Sequence, residues 1–181
     1  MTAQVPDKIR FEDLDYFITG IRGAGLFHPV ENGLEPLPHT TACWRGFACR
    51  YAIVEGRLQL MALRINLREP PDTLLGSPRS TSREGIAFPA EYRNLSHDVL
   101  FSGELLAGND FIQELYAHMG FHPAWKFRHV QHFTFAQGLL MAQRDRSDEA
   151  AEFRRKVARS PDLGKTGIGE SFGLHFDPWA G

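Results

Sequence analysis

The chain has 181 residues, of which 43% are hydrophobic, and it carries 20 basic against 22 acidic residues for a formal net charge of −2. This length suits one globular domain with a core large enough to fold without disulfide bonds. The basic residues form no dense run interleaved with aromatics, which argues against a nucleic-acid partner, because neutralising a phosphate backbone requires clustered cations. The sequence has no 18-residue apolar span and no apolar leader segment, so neither a membrane partner nor export is predicted.

The two cysteines, Cys43 and Cys49, lack the spacing of a zinc motif. In a strand, both side chains would point to one face about 20 Å apart, which is too far for a disulfide. Two free, buried thiols are typical of a reducing compartment. We therefore predict a cytoplasmic protein that requires no cofactor.

Strand-type residues between positions 8 and 18 are interrupted by acidic side chains, and residues 20–41 are rich in Gly and Pro. The first segment predicts a broken strand and the second an irregular connection. CWRGFACRYAIV, the turn Glu55-Gly56 and RLQLMALRINL then predict a β-hairpin with a two-residue turn.

Pairing outward from that turn sets the register of the hairpin. The predicted pairs are Ile53 with Leu58, Tyr51 with Leu60, Cys49 with Ala62, Phe47 with Arg64, and Arg45 with Asn66. In this register the apolar face changes sides partway along the hairpin, which is typical of a coiled sheet or a barrel.

Residues 68–97 contain four prolines and several serines and predict a long loop. A strand is predicted over residues 98–106, followed by a turn at Gly108-Asn109-Asp110. Residues 111–119 suit a short helix or a poorly alternating strand. KFRHVQHFTF, Gln137-Gly138 and LLMAQRD predict a second hairpin.

DEAAEFRRKVAR, residues 148–159, predicts a helix that Ser147 caps, with acidic residues at its start and basic residues at its end. Residues 1–159 are therefore predicted to form one β-rich domain that includes this helix. Residues 160–181 form a tail rich in Gly and aromatic residues. Its three large aromatics, Phe172, Phe176 and Trp179, predict that the tail docks, either on this protein or on a partner.

Four histidines lie within residues 116–133. His129 and His132 would project to opposite faces of a strand, His122 precedes a proline, and His118 lies at the end of its element. We interpret them as polar residues that neither bind metal nor catalyse a reaction, because the ligands do not converge. The chain also lacks a nucleophile-elbow or P-loop motif, so no catalytic residue is predicted.

The outer end of the first hairpin places Arg45, Arg64 and Asn66 on one face beside Phe47, with Trp44 nearby. Two interpretations stay open. The polar side chains mark a strand end that emerges into water, or they line a cationic mouth that binds an anionic group or a partner's carboxylates. An internal ion pair between Glu104 and one of these arginines would favour the first.

Three motifs resemble those of a family of uncharacterised bacterial proteins: Trp44-Arg45-Gly46-Phe47, Gly103-Glu104-Leu105 and Tyr116 with His118-Met119-Gly120. The likeness spans about residues 40–145. It implies a mostly β domain and an extended segment over residues 111–119, and it implies no particular reaction.

These observations predict a mainly β (α+β) fold, with a coiled antiparallel sheet or open barrel of seven or eight strands and one C-terminal helix. Two functions are considered. The first is a non-enzymatic bacterial binding protein with a protein partner, such as the immunity or inhibitor partner of a toxin or effector. The alternative is a barrel that binds a small anionic ligand, or acts as an enzyme, through a polar mouth around Arg45, Arg64, Glu104 and His118. The predicted binding residues are Trp44, Arg45, Arg64, Asn66, Glu104, His118 and Trp179.

Overall fold

The computed structural model describes residues 2–80, 88–164, 174 and 176. These residues form ten strands and one α-helix. The strands are β1 (Lys8–Phe11), β2 (Leu14–Ala24), β3 (Phe47–Val54), β4 (Arg57–Ile65), β5 (Thr73–Leu74), β6 (Ser77–Ser80), β7 (Ala90–Asp98), β8 (Ser102–Phe111), β9 (Phe127–Ala136) and β10 (Leu139–Asp145), and the helix is α1 (Ser147–Arg159).

Seven strands form a ring in the order β10-β9-β8-β2-β1-β3-β4, and β4 meets β10 to complete it. That last seam is narrow, because Leu139 opposite Arg57 is its single strand pair, so the ring is not an evenly closed barrel. Strands β7, β6 and β5 extend the sheet beyond β4. Neighbours in the ring are antiparallel except β1 and β3, which are parallel. The predicted β-rich fold, a coiled open barrel with one C-terminal helix, is confirmed.

The main core packs apolar side chains from both hairpins and from β1, β2, β7 and β8 against one another. Its largest fully buried members include Tyr51, Tyr92, Phe101 and Phe133. Each such side chain contributes roughly 1.5–3 kcal/mol when it leaves water. A second cluster forms on the outside of β8 and β9, where Ala150 of α1 packs against the sheet.

The first hairpin forms with the predicted turn but not with the whole predicted register. Glu55 and Gly56 have φ values of 49° and 75°, as a two-residue hairpin turn requires. The two pairs nearest the turn are confirmed, but a bulge follows at Met61, and from there Cys49 faces Leu63 and Phe47 faces Ile65. The three outer predicted pairs are therefore wrong by one residue or more. They were Cys49 with Ala62, Phe47 with Arg64, and Arg45 with Asn66.

The bulge has a physical reason. It inserts one residue into β4, so that Leu58, Leu60, Leu63 and Ile65 all become fully buried. The predicted change of buried face does not occur, because a shift of one residue exchanges the two faces of a strand.

Strand β8 runs straight through Gly108, where a turn was predicted. A Cβ at this position would lie 2.4 Å from Cγ of Phe127, so the glycine admits a close-packed ring instead of turning the chain. Residues 90–97, predicted as loop, belong to β7, which ends at Asp98. The segment 111–119 is neither strand nor α-helix beyond Phe111, and it contains a 3-10 turn at Gln113–Leu115.

The predicted helix is present as α1, but Ser147 is its first residue instead of its cap. The Ser147 hydroxyl accepts a hydrogen bond from the Val130 N–H at 3.0 Å, and the Asp145 carboxylate accepts one from the Ser147 N–H at 2.7 Å. Arg154 donates to the carbonyls of Trp125 and Phe127 at 2.8 and 2.6 Å. These bonds fix the helix against β9.

Beyond residue 164 the structure describes two tail residues, Leu174 and Phe176, and both contact the body of the protein. The carbonyl of Leu174 accepts a hydrogen bond from the Ile21 N–H at 3.2 Å. Phe176 is buried in the cluster beneath α1. Phe172 and Trp179 lie outside the described residues. Within the described chain, no helix is both long and apolar enough to cross a membrane.

Candidate functional site: a cationic groove across four strands

Arg45, the first residue of the predicted mouth, is held in an internal ion pair. Its two terminal nitrogens donate to the two oxygens of Asp7 at 2.9 and 2.6 Å. The same carboxylate accepts the Cys49 N–H at 2.6 Å, and the Arg45 guanidinium lies 4.7 Å from the centre of the Phe47 ring. Arg45 therefore joins the loop before β3 to the segment before β1.

Burial favours the uncharged forms of the two thiols and the phenol around this ion pair. Burial raises the pKa of the Cys43 thiol, and it raises the pKa values of the Cys49 thiol and the Tyr51 hydroxyl well above their usual range. Burial opposes the charge of Arg45, but the carboxylate of Asp7 outweighs it and raises the pKa of the guanidinium. Neutral, buried thiols are poor nucleophiles.

The other predicted site residues occupy separate places. Glu104 pairs with Arg22 at 3.0 Å on the outer face of β8 and β2, and strands β2, β1 and β3 separate it from Arg64 on β4. The Asn66 amide donates to the carbonyls of Leu37 and Pro38 at 3.2 and 3.1 Å. His118 is exposed, and its ring centre lies 4.9 Å from that of Tyr116.

The Trp44 side chain is exposed, at 47%, and the backbone N–H of Trp44 donates to the Gln4 side-chain oxygen at 3.3 Å. Arg64 lies with its guanidinium 5.3 Å from the centre of the Phe88 ring. Among the predicted site residues that the structure describes, Arg64 alone lines a groove on the outer face of the sheet. Trp179 lies outside the described residues.

The four histidines of residues 116–133 do not form one group, although the ring centres of His118 and His122 lie 4.9 and 5.2 Å from that of Tyr116. His129 is exposed on β9, and His132 lies with Nε2 3.6 Å from Glu104. Within the part of the chain that the structure describes, no three side chains of His, Cys, Asp and Glu converge as a metal-binding group.

A groove of about 640 Å³ crosses the outer face of β1, β3, β4 and β7. Its charged lining consists of five cations and one carboxylate: Lys8, Arg10, Arg50, Arg64, Arg93 and Glu91. We call this surface the cationic groove.

The strand register explains how these side chains meet. Lys8 of β1 is paired with Arg50 of β3, Arg50 with Ala62 of β4, and Ala62 with Arg93 of β7. Neighbouring strands lie about 4.8 Å apart, so one row across the sheet carries three cations. The alanine within the row keeps the floor low between Arg50 and Arg93.

The adjoining rows repeat the pattern of an arginine beside an alanine. Arg10 is paired with Ala52, and Arg64 is paired with Ala48 on one side and with Glu91 on the other. Small side chains beside each arginine leave room for a bound group between the guanidinium groups.

Two carboxylates hold three of the arginines in place. Asp15 pairs with Arg10 at 3.0 Å and also accepts from Arg50, while Glu91 pairs with Arg93 at 2.7 Å. Five cations against these two carboxylates leave a local charge of +3 on a chain of net charge −2. A cleft lined by one sign of charge attracts ligands of the opposite sign.

Lys8, Arg10, Arg50 and Arg93 were not predicted from the sequence as site residues. Arg50 is the one residue of these four that lies in the predicted first hairpin, within CWRGFACRYAIV. The other three join the groove through the parallel pairing of β1 with β3 and through β7, which the loop prediction had removed.

No protein-family model, curated protein or solved structure matches the chain. The inference of function therefore depends on the geometry of the groove.

Proposed function

We propose that the protein is a non-enzymatic binding protein of the bacterial cytoplasm, and that its cationic groove receives carboxylate groups from an acidic protein partner. The row of Lys8, Arg50 and Arg93 across adjacent strands is the observation that carries the proposal. An immunity or inhibitor protein that binds an acidic toxin or effector would use such a surface, and we propose this as the biological role.

Carboxylates suit the groove because its arginines already bind them. Guanidinium groups present several N–H donors in a plane and form strong, charge-assisted hydrogen bonds to carboxylates. Arg10 and Arg93 keep about half of their side-chain surface exposed, at 51% each, although each has an internal partner. A second acid that enters the groove can therefore contact their exposed surfaces.

The residues that line the cationic groove are poorly suited to catalysis. The described lining contains no histidine, serine or threonine, so the usual nucleophile-and-base pairs are absent from it. Cys49 and Tyr51 line the groove, but burial raises both pKa values and keeps both groups protonated.

A free small anion is the second candidate occupant. The volume of about 640 Å³ lies within the range of small-molecule sites. A free ligand would bind in the groove without the flanking contacts of a protein, which bury about 800 Å² on each side in a standard interface.

Affinity capture from the native host's cytosol tests the proposed partner. We would use the wild-type protein, a groove variant with Lys8→Glu and Arg93→Glu, and a control variant with Arg57→Glu and Arg155→Glu. Both variants change the net charge equally, and both control positions are exposed and lie outside the groove. The expected result is an acidic protein that wild type and control retain and the groove variant loses.

The captured protein must then bind purified wild-type protein directly, with an affinity that falls as salt rises. Equal retention by the groove variant and the control would overturn the groove as the binding surface.

A further inference from the structure

The charge of the cationic groove is concentrated at one end, where Lys8 and Arg10 of β1 lie beside Arg50 of β3. Lys8 is paired with Arg50, and Arg10 follows Lys8 on the same face of β1, about 7 Å further along the strand. One carboxylate, that of Asp15 on β2, pairs with both arginines. Three cations against one carboxylate leave a charge of +2 at this end of the groove. We call Lys8, Arg10 and Arg50 the three-cation cluster.

The bonds of Asp15 bring the two guanidinium groups together. Nε of Arg10 donates to one Asp15 oxygen at 3.0 Å, and a terminal nitrogen of Arg50 donates to the other. Because β1 lies between β2 and β3, the Arg50 side chain crosses β1 to reach Asp15. Its guanidinium therefore lies over β1, where Lys8 and Arg10 also project. The Asp15 backbone is held as well, since its carbonyl accepts from the Asn109 amide at 2.7 Å.

The three-cation cluster keeps donors for a bound anion. Arg10 and Arg50 each use one nitrogen on Asp15, and no other acceptor among the described residues takes their remaining N–H groups. Their side chains are 51% and 39% exposed. The Lys8 ammonium lies 5.0 Å from the centre of the Phe17 ring and has no carboxylate partner within the described chain. All three cationic groups can therefore donate to one ligand.

The charge and the number of donors define the class of anion. A single carboxylate has one negative charge and two oxygens, so it would leave this end of the groove positive. A phosphate monoester carries a charge of about −1.5 to −2 at neutral pH and has three acceptor oxygens, which matches three cationic groups with a surplus charge of +2. Arginine also forms strong, paired hydrogen bonds to phosphate. The small side chain of Ala52, which is paired with Arg10, leaves room for the larger anion.

We propose that the three-cation cluster binds a phosphate monoester, and that the acidic protein partner carries this group on a phosphorylated side chain. The partner's carboxylates then occupy the rest of the cationic groove, where Arg64 and Arg93 lie. The identity of the partner rests on the proposed function, whereas the phosphate site rests on the contacts of Lys8, Arg10 and Arg50.

The test is an NMR titration of the wild-type protein with two acetylated and amidated peptides of nearly equal charge. The first carries a phosphoserine between two pairs of glutamates, and the second is hexaglutamate. The phosphopeptide should bind about tenfold tighter or more, because one phosphate group satisfies several cations at once. It should shift the Nε–H signals of Arg10 and Arg50 more than those of Arg64 and Arg93. This comparison requires no variant, so it stands even if a variant fails to fold.

Two variants with the same change of charge locate the preference for phosphate within the groove. Arg10→Gln removes one member of the three-cation cluster and should reduce the preference for the phosphopeptide to about twofold or less. Arg64→Gln, at the other end of the groove, should weaken the binding of both peptides by a similar factor and keep the preference at about tenfold. The measured quantity is a ratio of two affinities, so a general loss of charge does not alter it. An unchanged preference in Arg10→Gln would overturn the assignment to the cluster.

The remaining outcomes separate this inference from the proposed function. Equal affinity of the wild-type protein for both peptides would overturn the phosphate site and leave the carboxylate-binding function in place. Binding of neither peptide would overturn both. Binding of the phosphopeptide without binding of hexaglutamate would support the phosphate site and overturn the carboxylate-binding function. Inorganic phosphate that binds as tightly as the phosphopeptide would assign the site to a free phosphate and overturn the phosphorylated partner.

Discussion

The carboxylate of Asp7 accepts hydrogen bonds from both terminal nitrogens of Arg45, 38 residues away in the chain. The Asp7 side chain is 5% exposed and that of Arg45 is 26% exposed. Because one Asp7 oxygen also accepts the Cys49 N–H, this single side chain joins the segment before β1, the loop before β3 and β3 itself.

Removing Asp7 should therefore be costly. Asp7→Ala leaves the guanidinium of Arg45 buried without its counter-charge, and we expect a loss of about 3–5 kcal/mol in the free energy of unfolding. The measurement is urea unfolding at neutral pH.

Asp72→Ala is the matched control, because the Asp72 side chain is 92% exposed in its pair with Arg79 and should cost under about 1 kcal/mol. The double variant Asp7→Leu with Arg45→Met should recover much of the loss. Equal effects of Asp7→Ala and Asp72→Ala would contradict the structural role assigned to the pair.

Two glycines with the same φ allow the energetic cost of a positive φ to be measured apart from the cost of a steric clash. Gly46 and Gly56 both have φ of 75°, but a Cβ at position 46 would lie 2.0 Å from the Leu37 carbonyl oxygen, and one at position 56 meets nothing within 4 Å. Gly56→Ala should cost about 1 kcal/mol from the positive φ alone. Gly46→Ala should cost clearly more in the same unfolding assay, and equal costs would contradict the close approach of the Leu37 carbonyl to Gly46.

The pH dependence of stability should reveal His122. Burial, followed by the nearby charge of Lys126, lowers its folded pKa from the ordinary value of 6.5 to about 4, so the unfolded chain binds the proton more tightly. Stability from the neutral ring is complete above pH 6.5 and falls as the pH decreases towards 4, by on the order of 2 kcal/mol for a partly screened ring.

His122→Phe lacks this titration, and the protonation of carboxylates is common to both proteins. From pH 7 to pH 4.5 the variant should therefore gain about 2 kcal/mol relative to wild type in urea unfolding. Parallel pH profiles of the two proteins would show that the imidazole is not buried as described.

Docking of the tail on the body predicts a stability effect at Phe176. Its side chain is buried beneath α1, and the Arg22 guanidinium lies 4.2 Å from its ring centre. Phe176→Ala should cost about 3 kcal/mol through lost burial and the space left behind. Met141→Ala, at a side chain that is 64% exposed, should cost little, and a similarly small effect at Phe176 would contradict the docking.

Short sequence motifs correctly predicted the elements that neighbouring residues determine. The Glu55-Gly56 and Gln137-Gly138 turns and the helix from Ser147 carry their own turn or dipole chemistry, and all three are present. The bulge at Met61 could not be predicted from neighbours, because it is set by which residues of β4 face the distant core. Gly108 likewise has the composition of a turn but serves the packing of Phe127.

The candidate site was less predictable than the fold because its parts are distant in sequence. Arg45 and Arg64 were expected to share a mouth, but Asp7 engages the first and only the second lines the cationic groove. The row of Lys8, Arg50 and Arg93 depends on a parallel pairing of β1 with β3 and on β7. Neither the pairing of β1 with β3 nor that of β7 with β4 leaves a periodic pattern in the sequence.

The most direct test of the groove is NMR titration with hexaglutamate, with hexaglutamine as the neutral control, while the arginine Nε–H signals are followed. We expect saturable binding of hexaglutamate that shifts the signals of Arg50, Arg64 and Arg93, weakens as salt rises, and disappears in the variant with Lys8→Glu and Arg93→Glu. Hexaglutamine should produce no shifts. Shifts of similar size at Arg57 and Arg155, outside the groove, or unchanged binding in the groove variant, would show that the cationic groove is not the carboxylate-binding surface.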